Sequence, residues 1–92
     1  MSGKILRMNP KDNVGMVLQD ANPGDALTVL YEGQPEATVT VKDATDIYHK
    51  VALAPIKTDE YVVKYGELIG VATQDIAVGE HVHVFNVRSI KV

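Results

Sequence analysis

The fold class this sequence predicts is all-β, and three observations carry that expectation. Residues 37–42 (Ala, Thr, Val, Thr, Val, Lys) alternate apolar and polar, the pattern of a half-buried strand. Valine is abundant, and turn formers recur at short intervals (Asn22-Pro23-Gly24, Tyr65-Gly66, Val78-Gly79), as many short strands require. No segment sustains a helical period, which leaves room for at most one helical turn near 44–48 or 75–78.

Taken in order, short apolar runs place strands at 4–8 and 14–18. Leu27, Val29 and Tyr31 alternate on the next run, although Leu30 breaks its polar face. Glu32-Gly33-Gln34-Pro35-Glu36 reads as the hairpin turn into the strand at 37–42, because Gly and Pro supply unusual backbone angles. Further strands are expected at 50–54, 61–65, 68–73 and 81–87, each rich in Val, Ile, Leu or aromatic residues.

Size and charge narrow the function classes. The 92 residues make one domain, 1–92, with no room for two independent cores. A chain of this size buries only about 60–65% of its unfolded surface, so an oligomer or a larger partner would relieve its marginal stability. The absence of cysteine removes disulfides, thiol catalysis and thiolate metal sites. A net charge of −3 with interspersed acids and bases argues against nucleic-acid binding, which draws on clustered Lys and Arg. The N-terminal MSGKILRMNPKDN has no apolar targeting core and no run reaches membrane-spanning length, so a cytoplasmic domain is expected.

A local unit repeats. Asn13–Asp20 (NVGMVLQD) aligns with Leu68–Asp75 (LIGVATQD), and each continues through a Gly-acid pair, Gly24-Asp25 or Gly79-Glu80, into a new strand. A looser middle copy, Tyr48–Pro55, passes through Asp59-Glu60 to Tyr61-Val62-Val63. The unequal spacing excludes a solenoid. In this comparison Val14 and Ile69 stand where the middle copy has His49, and Gly15 and Gly70 where it has Lys50. His81 and His83 replace Ala26 and Thr28 of the first copy, and Tyr61 and Val63 of the second. The corner is therefore built without histidine elsewhere, and these substitutions mark a candidate site.

All three histidines of the chain fall in the segment from His49 to Asn86. His81 and His83, two apart on a predicted strand, leave the same face about 7 Å apart, and two imidazoles so placed can converge on one cation. His49 is a third ligand if strand pairing joins the middle and last copies, with Glu80 or Glu67 as an added carboxylate. The plain alternative is a solvated strand face, since H-x-H alone is a weak motif. His49-Lys50 also suits a carboxylate substrate, with imidazole as proton carrier. Tyr65-Gly66-Glu67 reads as a tight turn, Tyr48, Tyr61 and Phe85 as core or interface aromatics, and Asp43 and Asp46 as loop acids. No Ser-His-Asp order, phosphate loop or paired-carboxylate spacing stands out.

The string HK-V-A-L, then V-x-K-Y-G-E-x-I-G-x-A-T-x-D-I-x-x-G-E-H-V-H-V, resembles the SAF-type domain of the altronate/galactarate dehydratase family, and N-P-K-D-N-V near the N-terminus fits as well. Small subunits of sulfolactate sulfo-lyases look similar. The resemblance implies a β-clip fold of bent hairpins and a separate large dehydratase subunit as partner. It implies elimination of water from altronate- or galactarate-type sugar acids with a divalent metal, iron or manganese. By position, His49, His81 and His83 would be the catalytic and metal-binding residues, with Lys50 and Asn86 binding substrate. The alternatives are a non-catalytic module that binds a sugar acid or supports assembly, and a sulfolactate sulfo-lyase-like subunit; either could form a homo-oligomer. Three departures from the pattern stand out: Tyr48 where Gly is frequent, Pro55 where Asp is frequent, and Phe85 in place of a further histidine.

Overall fold

The computed structural model describes residues 3–90, so the terminal pairs of the expected 1–92 domain lie outside the described residues. Nine strands are present: β1 (Lys4–Arg7), β2 (Val14–Val17), β3 (Ala26–Tyr31), β4 (Gln34–Thr40), β5 (Lys50–Ala52), β6 (Tyr61–Lys64), β7 (Glu67–Ala72), β8 (His81–Val82) and β9 (Val87–Ser89). They form a six-stranded sheet in the order β4-β3-β1-β2-β5-β8 and a three-stranded sheet β6-β7-β9. Pairing is antiparallel except between β1 and β3. The described residues contain no helix, which bears out the all-β expectation.

Two tight hairpins follow directly from the sequence. Glu32-Gly33 and Tyr65-Gly66 all have positive φ, between 52° and 76°, the geometry of two-residue turns whose twist matches the flanking strands. The β3–β4 turn is thus shorter than the expected 32–36. Pro35 already lies in β4, where the register shifts beside an exposed sheet edge that needs no N–H from it.

The rest of the chain is organised by four copies of one corner, not the three the sequence displays. Ala21, Thr45, Ile56 and Ile76 are each buried and pair as isolated bridges, Ala21 with Thr45 and Ile56 with Ile76. Three residues after each bridge comes a positive-φ residue: Gly24, Tyr48, Asp59 and Gly79. The N–H of each donates to a carbonyl on the strand leading into the paired corner: Val41, Val17, Ala72 and Ala52 respectively. Those same four residues return N–H bonds to Asp25, His49, Glu60 and Glu80. The stretches expected as helical turns, 44–48 and 75–78, are parts of these corners, where every backbone bond goes to the paired corner or the local turn. The missed copy, Thr45 to Lys50, has Tyr48-His49 where the others have a readable Gly-acid or acid-acid pair, Gly24-Asp25, Asp59-Glu60 and Gly79-Glu80.

The bent strands bury two apolar clusters. One gathers Ile5, Val17, Leu27, Val29, Val39, Val41 and Val51; the other gathers Val14, Ala52, Ile56, Val62, Ala72, Ile76 and Val82. β2 and β5 contribute to both, because Val14 and Ala52 face the second cluster while Val17 and Val51 face the first. The N-P-K-D-N segment bolts the sheets together. Asp12 accepts from the Gly66 N–H at 2.8 Å, and the Asn13 carboxamide bonds to Tyr61 O and Val63 N, standing in for a strand neighbour of β6.

The expected strand 81–87 does not exist as one element. β8 ends at Val82, residues 83–86 form a turn, and β9 starts at Val87 in the other sheet. Asn86 causes the break. Its Oδ1 accepts from the His83 N–H at 2.9 Å and its Nδ2 donates to His81 O at 2.8 Å, so local side-chain bonds replace a ladder.

Candidate functional site

The corners explain how His49 becomes available for chemistry. Four residues past the bridge, three corners carry an acid whose carboxylate caps its own turn: Asp25 on the Asn22 N–H, Glu60 on the Lys57 N–H and Glu80 on the Ala77 N–H. In the second corner that position is His49, and its ring turns away to His81 instead, Nδ1 to Nε2 at 3.0 Å. Corner pairing then matters, because β5, which begins beside His49, is the neighbour of β8, with Val51 opposite His81.

The turn after β8 completes the cluster. Held by Asn86, His83 folds back so that its ring stacks on both others, with centroids 4.9 Å from His49 and 5.5 Å from His81. The three imidazoles offer nitrogens that all lie within 4.8 Å of one another, a spread that small ring rotations close onto one ion. The structure thus brings His49, His81 and His83 together through the pairing of the middle and last copies, although two residues of one straight strand do not produce the cluster. Among the described residues no carboxylate joins the three nitrogens. Glu80, expected as an added ligand, has its carboxylate committed to its turn.

Electrostatics favour a neutral His81 ring. Burial pushes the His81 pKa down, and the neighbouring His49 and His83 push it further, against a smaller opposing effect of Asp43. The bond between His49 and His81 itself needs an acceptor nitrogen, so at least one of the pair is uncharged. Neutral imidazole is the form that ligates a cation. Phe85 lies edge-on to His81 with centroids 5.4 Å apart, occupying space where a fourth histidine would have added a donor.

Lys50 opens next to this cluster. With His83, Ile69, Val84, Val87 and Ser89 it lines a shallow pocket of about 170 Å³. Burial, and secondarily the charge of Lys64, lower the Lys50 pKa. A half-buried amine with a second cation nearby and no carboxylate in its pocket has the chemistry to receive an anion. Asn86, expected to touch substrate, is only 2% exposed and has both carboxamide atoms bonded to backbone; here it sets the course of the histidine turn. Sequence reading also passed over Asp43, whose Oδ2 accepts from the His81 N–H at 3.0 Å and fixes the start of β8. No local motif marks that contact, which spans 38 residues of chain.

A second cavity, about 220 Å³ between Arg7, Asp12, Glu36 and Leu53, carries no free charge. Arg7 spends its guanidinium on Glu36, on the carbonyls of Asn9 and Pro10, and on the face of Tyr31.

The pattern of the altronate/galactarate dehydratase SAF domain matches residues 3–90. Altronate dehydratase of Bacillus subtilis is 38% identical over 85 residues, which cover 92% of this chain and 16% of that protein. Altronate dehydratase of Escherichia coli is 37% identical over 86 residues, again 16% of its length. The (2R)-sulfolactate sulfo-lyase subunit alpha of Chromohalobacter salexigens is 41% identical over 91 residues, 97% of both chains. With the family pattern running through the corners, the histidine cluster and the lysine pocket alike, the chain belongs to the altronate/galactarate dehydratase SAF domain family.

Proposed function

We propose that this chain is the small, histidine-bearing subunit of a cytoplasmic lyase that eliminates water from an altronate- or galactarate-type sugar acid, working with a separate large subunit. The observation that carries the reading is the convergence of His49, His81 and His83 beside the anion pocket of Lys50. The donor set, three imidazole nitrogens, fits a divalent ion such as iron or manganese. That ion would supply Lewis-acid polarisation of the substrate's carboxylate or hydroxyl oxygens. Lys50 holds the substrate carboxylate and Asn86 keeps the histidine turn in place, while the groups that take the α-hydrogen and protonate the departing β-hydroxyl come from the large subunit.

A sulfo-lyase reading is favoured by one observation, the 97% mutual coverage with the sulfolactate sulfo-lyase subunit alpha. The chemistry is related: loss of an α-proton, with sulfite in place of water as the group leaving the β-carbon. The test is turnover of altronate, galactarate and (2R)-sulfolactate by the chain co-expressed with its large subunit. His81→Ala/His83→Ala should abolish turnover and lower Fe(II) or Mn(II) affinity at least tenfold. Unchanged turnover in that variant would reduce the chain to a non-catalytic module.

A further inference from the structure

The histidine cluster lies beside an apolar tip that no described part of the chain covers. Val84 is 81% exposed and Phe85 58%, consecutive at the turn between β8 and β9. Val84 walls the pocket of Lys50 and His83, while Phe85 packs edge-on against His81. Ile47 and Tyr48, also exposed, precede His49 on the second corner. Four of the eight exposed large apolar side chains thus fall within two residues of a cluster histidine, where a turn could have been built from polar residues.

Resting on the lyase reading above, we propose that this apolar tip is the docking seat of the large lyase subunit, which closes over the three histidines and Lys50 when bound. Two observations choose that occupant over a second copy of the chain. First, the domain forms 16% of altronate dehydratases and nearly the whole of a sulfo-lyase subunit alpha, so its recurrent neighbour is a much larger lyase body. Second, the charge of this face is one-sided. Its pocket presents Lys50, with Lys64 near it and no carboxylate in the lining, while the Asp43 carboxylate beside the cluster is bonded to the His81 backbone. A two-fold copy would set that cationic face against itself, whereas a body contributing carboxylates complements it and adds the donors the cluster lacks.

The test uses the full chain and, from the same genome, the protein that matches the part of altronate dehydratase this chain does not cover. Binding is measured by titration, for the parent chain and for Val84→Asp, Tyr48→Asp and the remote control Met8→Asp. The proposal expects Val84→Asp and Tyr48→Asp each to weaken binding at least tenfold and Met8→Asp to leave it within twofold. It also expects diethylpyrocarbonate modification of the three histidines to fall in the complex. Unchanged affinity in both tip variants, no complex at all, or a symmetric homodimer broken by the same substitutions would overturn it. Mn(II) titration of each free variant separates the two readings. Intact metal binding with lost docking isolates the tip, and no metal binding by the parent chain or by Met8→Asp, with docking intact, would sink the lyase site while leaving the tip standing.

Discussion

Replacing Gly79 and Gly24 by alanine in separate variants isolates what the corners demand of the backbone. Both residues have φ near +90° (Gly79 +87°, Gly24 +94°), and both open a strand through an i to i+3 turn bond. A Cβ at Gly24 meets nothing within 4 Å, so Gly24→Ala carries only the left-handed penalty, about 1 kcal/mol after alanine's smaller unfolded-state entropy is credited. A Cβ at Gly79 falls on the carbonyl oxygen of Thr40, which is backbone and cannot rotate away. Relieving that overlap strains the bond from Lys42 N to Gly79 O, now 2.9 Å, and adds about 1–3 kcal/mol. At about 4–8 °C per kcal/mol for a domain of this size, Gly24→Ala should lower Tm by about 4–8 °C and Gly79→Ala by about 10–25 °C. Thermal unfolding by circular dichroism reads both. Equal losses in the two variants would refute the argument that the fourth corner is packed against β4 through its glycine.

Three further outcomes follow from the same geometry. Tyr48 is 63% exposed with φ +70°, so Tyr48→Gly relieves backbone strain at little cost in packing and should raise Tm by about 2–6 °C in a thermal melt. Asn86→Ala deletes two bonds at a buried site, and should cost about 2–4 kcal/mol in urea unfolding while broadening the His83 ring resonances. Because burial and its two histidine neighbours hold the His81 pKa below the ordinary 6.5, the unfolded chain binds that proton more readily. The stabilisation is complete above pH 6.5 and is lost as pH falls through the folded-state value, so Tm should drop on acidification below 6.5, and less steeply in His81→Gln.

What the sequence shows and what it hides divide along the same physical line. Strands β2, β3 and β7 are legible because valine-rich alternation and Gly-containing turns are local signals. The Gly24-Asp25 and Gly79-Glu80 pairs are legible for a related reason: glycine supplies the positive φ, and the acid caps the turn it follows. The second corner escapes notice because Tyr48 and His49 fill those two positions without the usual chemistry, although the backbone is the same. The departure at Pro55 has a comparable meaning. Asp20 and Asp75, one residue before their bridges, cap the N–H groups of Ile47 and Thr58 in the paired corners, and proline at the matching position offers no such carboxylate. The break after Val82 is the largest misreading of a strand. Seven β-prone residues look like one strand, and only the buried carboxamide of Asn86 turns them into a strand, a turn and a strand of another sheet.

His49 is where stability and chemistry compete for one position, and the competition can be measured. In the other three corners an acid caps its own turn, whereas here the imidazole leaves the Asp46 end of the turn uncapped by its side chain and joins His81. His49→Glu should restore the cap, and His49→Ala should restore nothing; both remove one of three candidate ligands. His49→Glu should be about 1 kcal/mol more stable than His49→Ala, a Tm difference of about 4–8 °C. Both variants should lose at least tenfold in Mn(II) affinity relative to the parent chain. If the two melt together, the acid at this position is not what secures the other corners. If His49→Ala binds Mn(II) as the parent does, the histidine was not placed there to hold a metal, and its loss of capping has no return.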